Sequence, residues 1–245
     1  MGSPPHHPTT SLPRRRADPL VVGLIGGIGS GKSAVAAAFA RQGAVVVSGD
    51  VAGHEALQQP KIRQQVVQRW GQAMLDDRGE IDRRKLAAIV FNDPAERKTL
   101  EAMVFPWIER RLREQIMAAK QDRRTPLIIL DAAVMLEAGW SKECDRMLFV
   151  DAPTPLRLMR LAEGRGWTEN EVRSRERAQM PSNEKRSRAD AILENTGSLE
   201  ELNQPVSEFL KRWGIEGQGE RKTGQRQDGA LHDPLIRGES NENDP

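Results

Sequence analysis

Apolar residues in this chain fall into short unbroken runs, set apart by longer stretches with helical spacing. Residues 20–25 (LVVGLI), 44–48 (AVVVS), 126–131 (PLIILD) and 146–151 (RMLFVD) are such runs, and residues 191–193 (AIL) form a shorter fifth. Strands that are apolar on both faces belong in a parallel sheet covered by helices on each side. Residues 32–41 (KSAVAAAFAR) read as a helix stopped by Gly43. Two stretches break the strand–helix alternation. Residues 51–124 hold no strand pattern and several helical ones, at 61–70, 83–91 and 94–120. Residues 154–188 are helical and rich in arginine. Thr168 with Glu171 fits a capping box there, as does Ser198 with Glu201 before the final helix. The expectation is an α/β fold: a parallel-sheet core with a helical insertion after strand two and a smaller one after strand four.

The two ends dilute this pattern. Residues 1–19 (MGSPPHHPTTSLPRRRADP) and 214–245 carry no apolar period, which accounts for a mean hydropathy of −0.61 alongside 38% hydrophobic residues. Both are expected to be disordered tails, because they bury too little apolar surface to offset ordering entropy. The ordered domain is then 20–213. Cys144 is the sole cysteine, so no disulfide forms within the chain, which suits the cytoplasm. No apolar run approaches the roughly 18–20 residues of a membrane span. The arginines at 14, 15 and 16 lead into Ala17-Asp18-Pro19 and a strand, not into the apolar region of a secretion signal. A net charge of +2, with no other basic run, argues against a nucleic-acid partner. The sequence leaves the oligomeric state open.

Candidate chemistry starts at the first strand's end. Gly26-Gly27-Ile28-Gly29-Ser30-Gly31-Lys32-Ser33 matches G-x-x-x-x-G-K-[ST], and it lies between a buried strand and a helix as that motif requires. The spacing predicts a phosphate cradle from Gly26 to Ala34, with backbone N–H groups aimed inward and the helix N-terminus adding positive potential. Lys32 is expected at the β- and γ-phosphates of ATP and Ser33 at Mg²⁺. An Asn-Lys-x-Asp motif, usual in GTPases, is missing. Asp76-Asp77-Arg78-Gly79 follows a helix and reads as a turn.

A kinase needs an acid to orient the acceptor hydroxyl and cations over the transferring phosphoryl. Asp50 follows strand two at the sheet edge where ligands bind. It is either that acid or the N-cap of the next helix. Asp131 ends strand three and is a second Mg²⁺ candidate beside Ser33. Arg157, Arg160, Arg165, Arg173, Arg175, Arg177, Arg186 and Arg188 crowd the second insertion. Arginine suits multidentate phosphate contacts in a closing lid. For most of these eight the plainer reading is a solvated face balanced by Glu163, Glu169, Glu171 and Glu176.

These residues resemble the dephospho-coenzyme A kinase family. The resemblance runs through Gly23–Ser33 (GLIGGIGSGKS), residues 43–50 (GAVVVSGD), 79–86 (GEIDRRKL), Val90-Phe91 and 131–137 (DAAVMLE). It continues at Arg160, Arg165, Gln179, Ala189-Asp190 and 195–198 (NTGS). It implies a P-loop kinase that uses ATP with Mg²⁺ to phosphorylate the ribose 3′-hydroxyl of dephospho-CoA, the last step of CoA biosynthesis. On that footing Asp50 falls on the family's catalytic aspartate. Lys32, Arg165 and Arg160 are the other catalytic candidates, with Arg165 the better match for a phosphate clamp. Residues 51–124 would bind the acceptor, 154–188 would be the lid, and the segment around 195–197 would lie near the adenine. This chain departs from the family pattern at Ile25 (usually Thr), Ser48-Gly49 (usually Asp-Ala), Phe105 (commonly His) and Ala133 (usually Pro). Two other functions remain compatible with the residues: a kinase for another metabolite, and a nucleotide-binding module that transfers nothing.

Overall fold

The structure, a computed structural model, describes residues 18–215 except Leu199. Five parallel strands form the sheet: β1 (Leu20–Gly26), β2 (Val45–Ser48), β3 (Leu127–Asp131), β4 (Arg146–Asp151) and β5 (Ala191–Glu194), in the order β2-β3-β1-β4-β5. Each grows from one of the apolar runs. Central β1 is covered on both sides, with Val21 and Ile25 facing one core while Val22 and Leu24 face the other. That is why it lacks the polar alternation of a half-exposed strand.

Helices α1 (Lys32–Arg41) and α9 (Asn203–Arg212) close one face, where Phe39 meets Phe209 edge-on at 5.7 Å. The other face carries α2 (Gly49–Leu57), α3 (Pro60–Trp70), α4 (Arg83–Asn92) and α5 (Pro94–Gln121). α5 contributes Val104, Ile108, Leu112 and Ile116 to that core, one side chain every fourth position. The segment between β4 and β5 holds α6 (Thr154–Arg165), α7 (Glu169–Arg177) and α8 (Ser182–Ser187). The Asp76–Gly79 stretch is a turn, closed by the Gly79 N–H on the Asp76 carbonyl at 3.0 Å.

β1 and β3 run parallel, but the connections after them leave to opposite faces of the sheet. β1 leads into α1 on one face, and β3 leads into residues 132–143 on the other. The strand ends therefore part and leave a crevice, the usual ligand position in an open α/β sheet. The register sets Leu24 beside Asp131 and Asp131 beside Ser48, so the ends of three strands converge there.

One expectation needs correction. The capping box at Thr168 and Glu171 forms as expected. At Ser198 and Glu201 the paired hydrogen bonds also form, but they close a turn, and α9 starts only at Asn203 after the buried Leu202. Beyond α9, Ile215 packs on the α1–α9 core and donates its N–H to the Leu210 carbonyl at 2.9 Å. The expected disorder of the tails otherwise falls on residues 1–17 and 216–245, outside the described residues.

Candidate active site

The loop from Gly26 to Gly31 joins β1 to α1 and is held from below by a segment distant in sequence. The buried Asn195 donates its side-chain N–H to the Ser30 carbonyl at 2.8 Å. Gly31 caps α1 with φ 84°, and a β-carbon there would overlap the Asn195 amide nitrogen. Only glycine combines that backbone angle with that approach. Arg160 locks the support in turn, donating to the carbonyls of Asn195 and Gly197, both at 3.1 Å. Ala34, in the first turn of α1, packs partly against the α1–α9 core. Asn195→Ala strips a buried hydrogen bond at a cost of about 1–3 kcal/mol, so a thermal melt is expected to show Tm lower by roughly 3–10 °C. An unchanged Tm would mean that the loop holds its shape without this prop.

At the mouth of the crevice the Ser33 hydroxyl donates to Asp131 Oδ2 at 2.9 Å. Burial raises the Asp131 carboxyl above its ordinary range, against the pull of Ser33 and the Lys32 ammonium. Lys32 Nζ lies 3.4 Å from the Gly26 carbonyl. Burial lowers its pKa and the ammonium of Lys185 adds to that, while Asp131, Asp50 and Glu137 act the other way. Four other charged groups, Asp131, Lys185, Asp50 and Glu137, thus act on the Lys32 ammonium, making with it a set of five.

Asp50 is one of the five, and its alternative reading as a helix cap falls. α2 begins at Gly49, and its cap is Ser48, whose hydroxyl accepts the Val51 N–H at 3.3 Å. Such a cap contributes about 1 kcal/mol. The serine that stands in place of the family's first acid therefore anchors the helix, leaving the Asp50 carboxylate exposed with no hydrogen bond or ion pair among the described residues. Gly49 is needed for packing, since a β-carbon there would come within 2.6 Å of the Ala132 β-carbon. The departure at Gly49 thus packs on Ala132, next in sequence to the departure at Ala133, and the loop after β3 passes close under α2.

The arginines separate into distinct groups. Arg157 packs on the phosphate loop, donating to the Ile28 carbonyl at 2.7 Å and to Glu176 at 2.6 Å. Arg160, as above, serves the 195–197 support. Arg165 is not brought to the cradle: it sits at the end of α6 with its guanidinium 4.9 Å from the Trp167 ring centre. Arg175 lies between Trp167 (4.0 Å) and Phe91 of α4 (4.3 Å), joining the two helical excursions through cation–π contacts. Arg173 pairs with Glu169, and Arg186 with Asp151. Arg177 is exposed at the rim of the cleft, and Arg188 is exposed elsewhere.

A cleft of about 610 Å³ opens between the phosphate loop and this arginine-rich segment, lined among others by Gly27, Ile28, Arg157, Arg177, Gln179 and Lys185. Lys185 is buried, its Nζ 3.1 Å from Glu137 and 3.0 Å from Gln179. Sequence reasoning did not single out Lys185, and it left Arg157 among the solvent-face candidates. For Arg157 a signal existed: it precedes Arg160 by three positions on α6, so the two share a helix face. Lys185 offered none, because its partner Glu137 lies on the loop after β3.

Comparison with known proteins follows the same lines. A family model described as dephospho-CoA kinase matches residues 20–201. The chain is 38% identical over 198 residues to the dephospho-CoA kinase of Geobacillus kaustophilus, covering 79% of this chain and 96% of that one. It is also 38% identical over 192 residues to that of Thermus thermophilus, covering 78% and 91%. A crystal structure of a Thermus thermophilus protein superposes with a TM-score of 0.68 at 37% identity, over 80% of this chain and 98% of that one. The dephospho-CoA kinase structure from Campylobacter jejuni shares the fold, with a TM-score of 0.59 at 22% identity over 79% and 96%.

Proposed function

Because this chain belongs to the dephospho-CoA kinase family, we propose that it transfers the γ-phosphoryl group of ATP to the ribose 3′-hydroxyl of dephospho-CoA, giving CoA and ADP. The observation that carries this reading is the unpartnered Asp50 carboxylate in the same charge cluster as the phosphate-loop Lys32. The loop amides and the N-terminus of α1 hold the triphosphate. Lys32 draws charge from the β- and γ-oxygens. Asp50 accepts the proton of the 3′-hydroxyl as its oxygen bonds to the γ-phosphorus and the bond to the β-bridging oxygen breaks. ADP leaves with that electron pair.

Mg²⁺ fits the donors at hand. Ser33 and Asp131 are hard oxygen ligands already within hydrogen-bond distance of each other. Among the described residues no group of three or more acidic, His or Cys side chains forms a metal cage. Two protein oxygens completed by water and phosphate is how Mg²⁺ is commonly held in nucleotide sites. Bound there, it would neutralise charge on the β- and γ-phosphates. Helices α2–α5 between β2 and β3 serve as the acceptor-binding side, and α6–α8 as the lid that excludes water from the transfer.

The test is ADP release with ATP and dephospho-CoA, with and without Mg²⁺, with CoA identified as product. Release that needs both the acceptor and the metal is expected. Release with a nucleoside or sugar acceptor in place of dephospho-CoA would point to another metabolite kinase. ATP binding with no transfer to any acceptor would make the chain a nucleotide-binding module.

A further inference from the structure

Lys185 is a charged side chain inside a wall, where an unpaired cation is costly. Its side chain is only 4% exposed. A lysine ammonium has three N–H donors. Glu137 at 3.1 Å and Gln179 at 3.0 Å account for two of them. Glu137 is itself shared, accepting the Met180 N–H at 2.8 Å, so its charge is spread over two donors. The third N–H of Lys185 has no acceptor among the described residues. The residue lines the same cleft as Gly27 and Ile28 of the phosphate loop.

The arginines of the same cleft are differently placed. Arg157 is occupied by Ile28, Glu176 and Thr154, Arg173 pairs with Glu169, and Arg177 sits exposed at the rim. Lys185 is the buried cation with a donor to spare. Its charge also reaches the site, since it acts on the Lys32 ammonium across the crevice.

We propose that Lys185, held by Glu137 and Gln179, is a second catalytic ammonium that donates its remaining N–H to an oxygen of the phosphoryl group in flight, opposite Lys32. The inference rests on the kinase reading above. A preorganised cation in a water-poor wall stabilises developing charge without reorganising at the moment of transfer. Lys185 also ties the loop after β3, through Glu137, to the segment at 179–181, so the ammonium is set only when those two pieces meet.

The experiment measures steady-state transfer from ATP to dephospho-CoA, together with binding of ADP, Mg²⁺ and aluminium fluoride in the presence of dephospho-CoA. Four variants are compared: Lys185→Met, Lys185→Arg, Glu137→Gln and the Lys185→Met/Glu137→Gln double. Lys185→Met is expected to lower kcat by about 10²-fold with little change in the KM for ATP, and to weaken the aluminium fluoride complex by a similar factor. Lys185→Arg is expected to restore part of the rate. The double variant leaves no buried charge unpaired, and it is expected to melt near the wild type while keeping the loss in kcat.

If the double variant regains wild-type kcat, Lys185 merely neutralises Glu137 and the proposal is overturned. A Lys185→Met effect confined to the KM for ATP, with kcat and the aluminium fluoride complex unchanged, overturns it as well. A wild-type protein with no transfer to dephospho-CoA would instead refute the kinase reading itself. Active wild type with unaffected Lys185 variants would refute this inference alone.

Discussion

Replacing Asp50 by asparagine will lower turnover with dephospho-CoA by about 10²–10⁴-fold, the usual worth of a positioned general base, while ATP affinity stays as it was. The separation follows from the architecture. Asp50 is in the first turn of α2, after β2, whereas the proposed nucleotide grip is the loop after β1. Because the helix is capped by Ser48 and not by Asp50, the substitution leaves α2 anchored, and the melting temperature should not move. Steady-state transfer and nucleotide titration on the same sample check both halves. Full turnover in the asparagine variant would remove Asp50 from the chemistry.

Lys32→Met is expected to have an effect of similar size by a different route. In the proposed reading its ammonium contacts the transferring phosphates, and loss of a preorganised donor of this kind costs about 10²–10³-fold in kcat. Here the KM for ATP should rise too, because the ground-state triphosphate loses the same contact. A pH profile adds an independent check on the wild type. Burial lowers the Lys32 pKa, so its ammonium is lost at a lower pH than for an ordinary lysine. The alkaline fall in kcat/KM, which reports the free enzyme, should therefore begin below the usual lysine range, and the methionine variant should lack that limb. An alkaline limb retained in Lys32→Met would assign the titration to another group.

Much of the fold could be read from the sequence because the parallel strands are contiguous apolar runs, and runs survive in one dimension, although β2, read as buried, lies at the sheet edge with Val45 and Val46 exposed. The phosphate loop was legible for the same reason, being eight successive residues between a strand and a helix. The pairing of Ser33 with Asp131 was within reach, since both stand at strand or helix ends that a parallel sheet brings to one edge. The arginine-rich segment was not. Eight guanidiniums of identical chemistry differ only in what lies opposite, and those partners are remote: Arg157 meets Ile28 across 129 positions. Lys185 was hidden by the reverse problem, a lone lysine in a polar helix whose burial depends on Glu137 from another part of the fold. At Asp50 the capping alternative fails because of its neighbour, since the hydroxyl of Ser48 takes the capping position.

The strand order also governs how the protein comes into being. β1 is central, yet its neighbours are β3, through Leu20 and Leu127, and β4, through Val22 and Arg146. Nothing made in the intervening stretch pairs with it. During synthesis, the glycine loop must therefore wait without a sheet to curl against until the ribosome has passed well beyond Asp131. Contacts so distant along the chain are slow to form, and in that interval the apolar run LVVGLI is open to misassociation or chaperone capture.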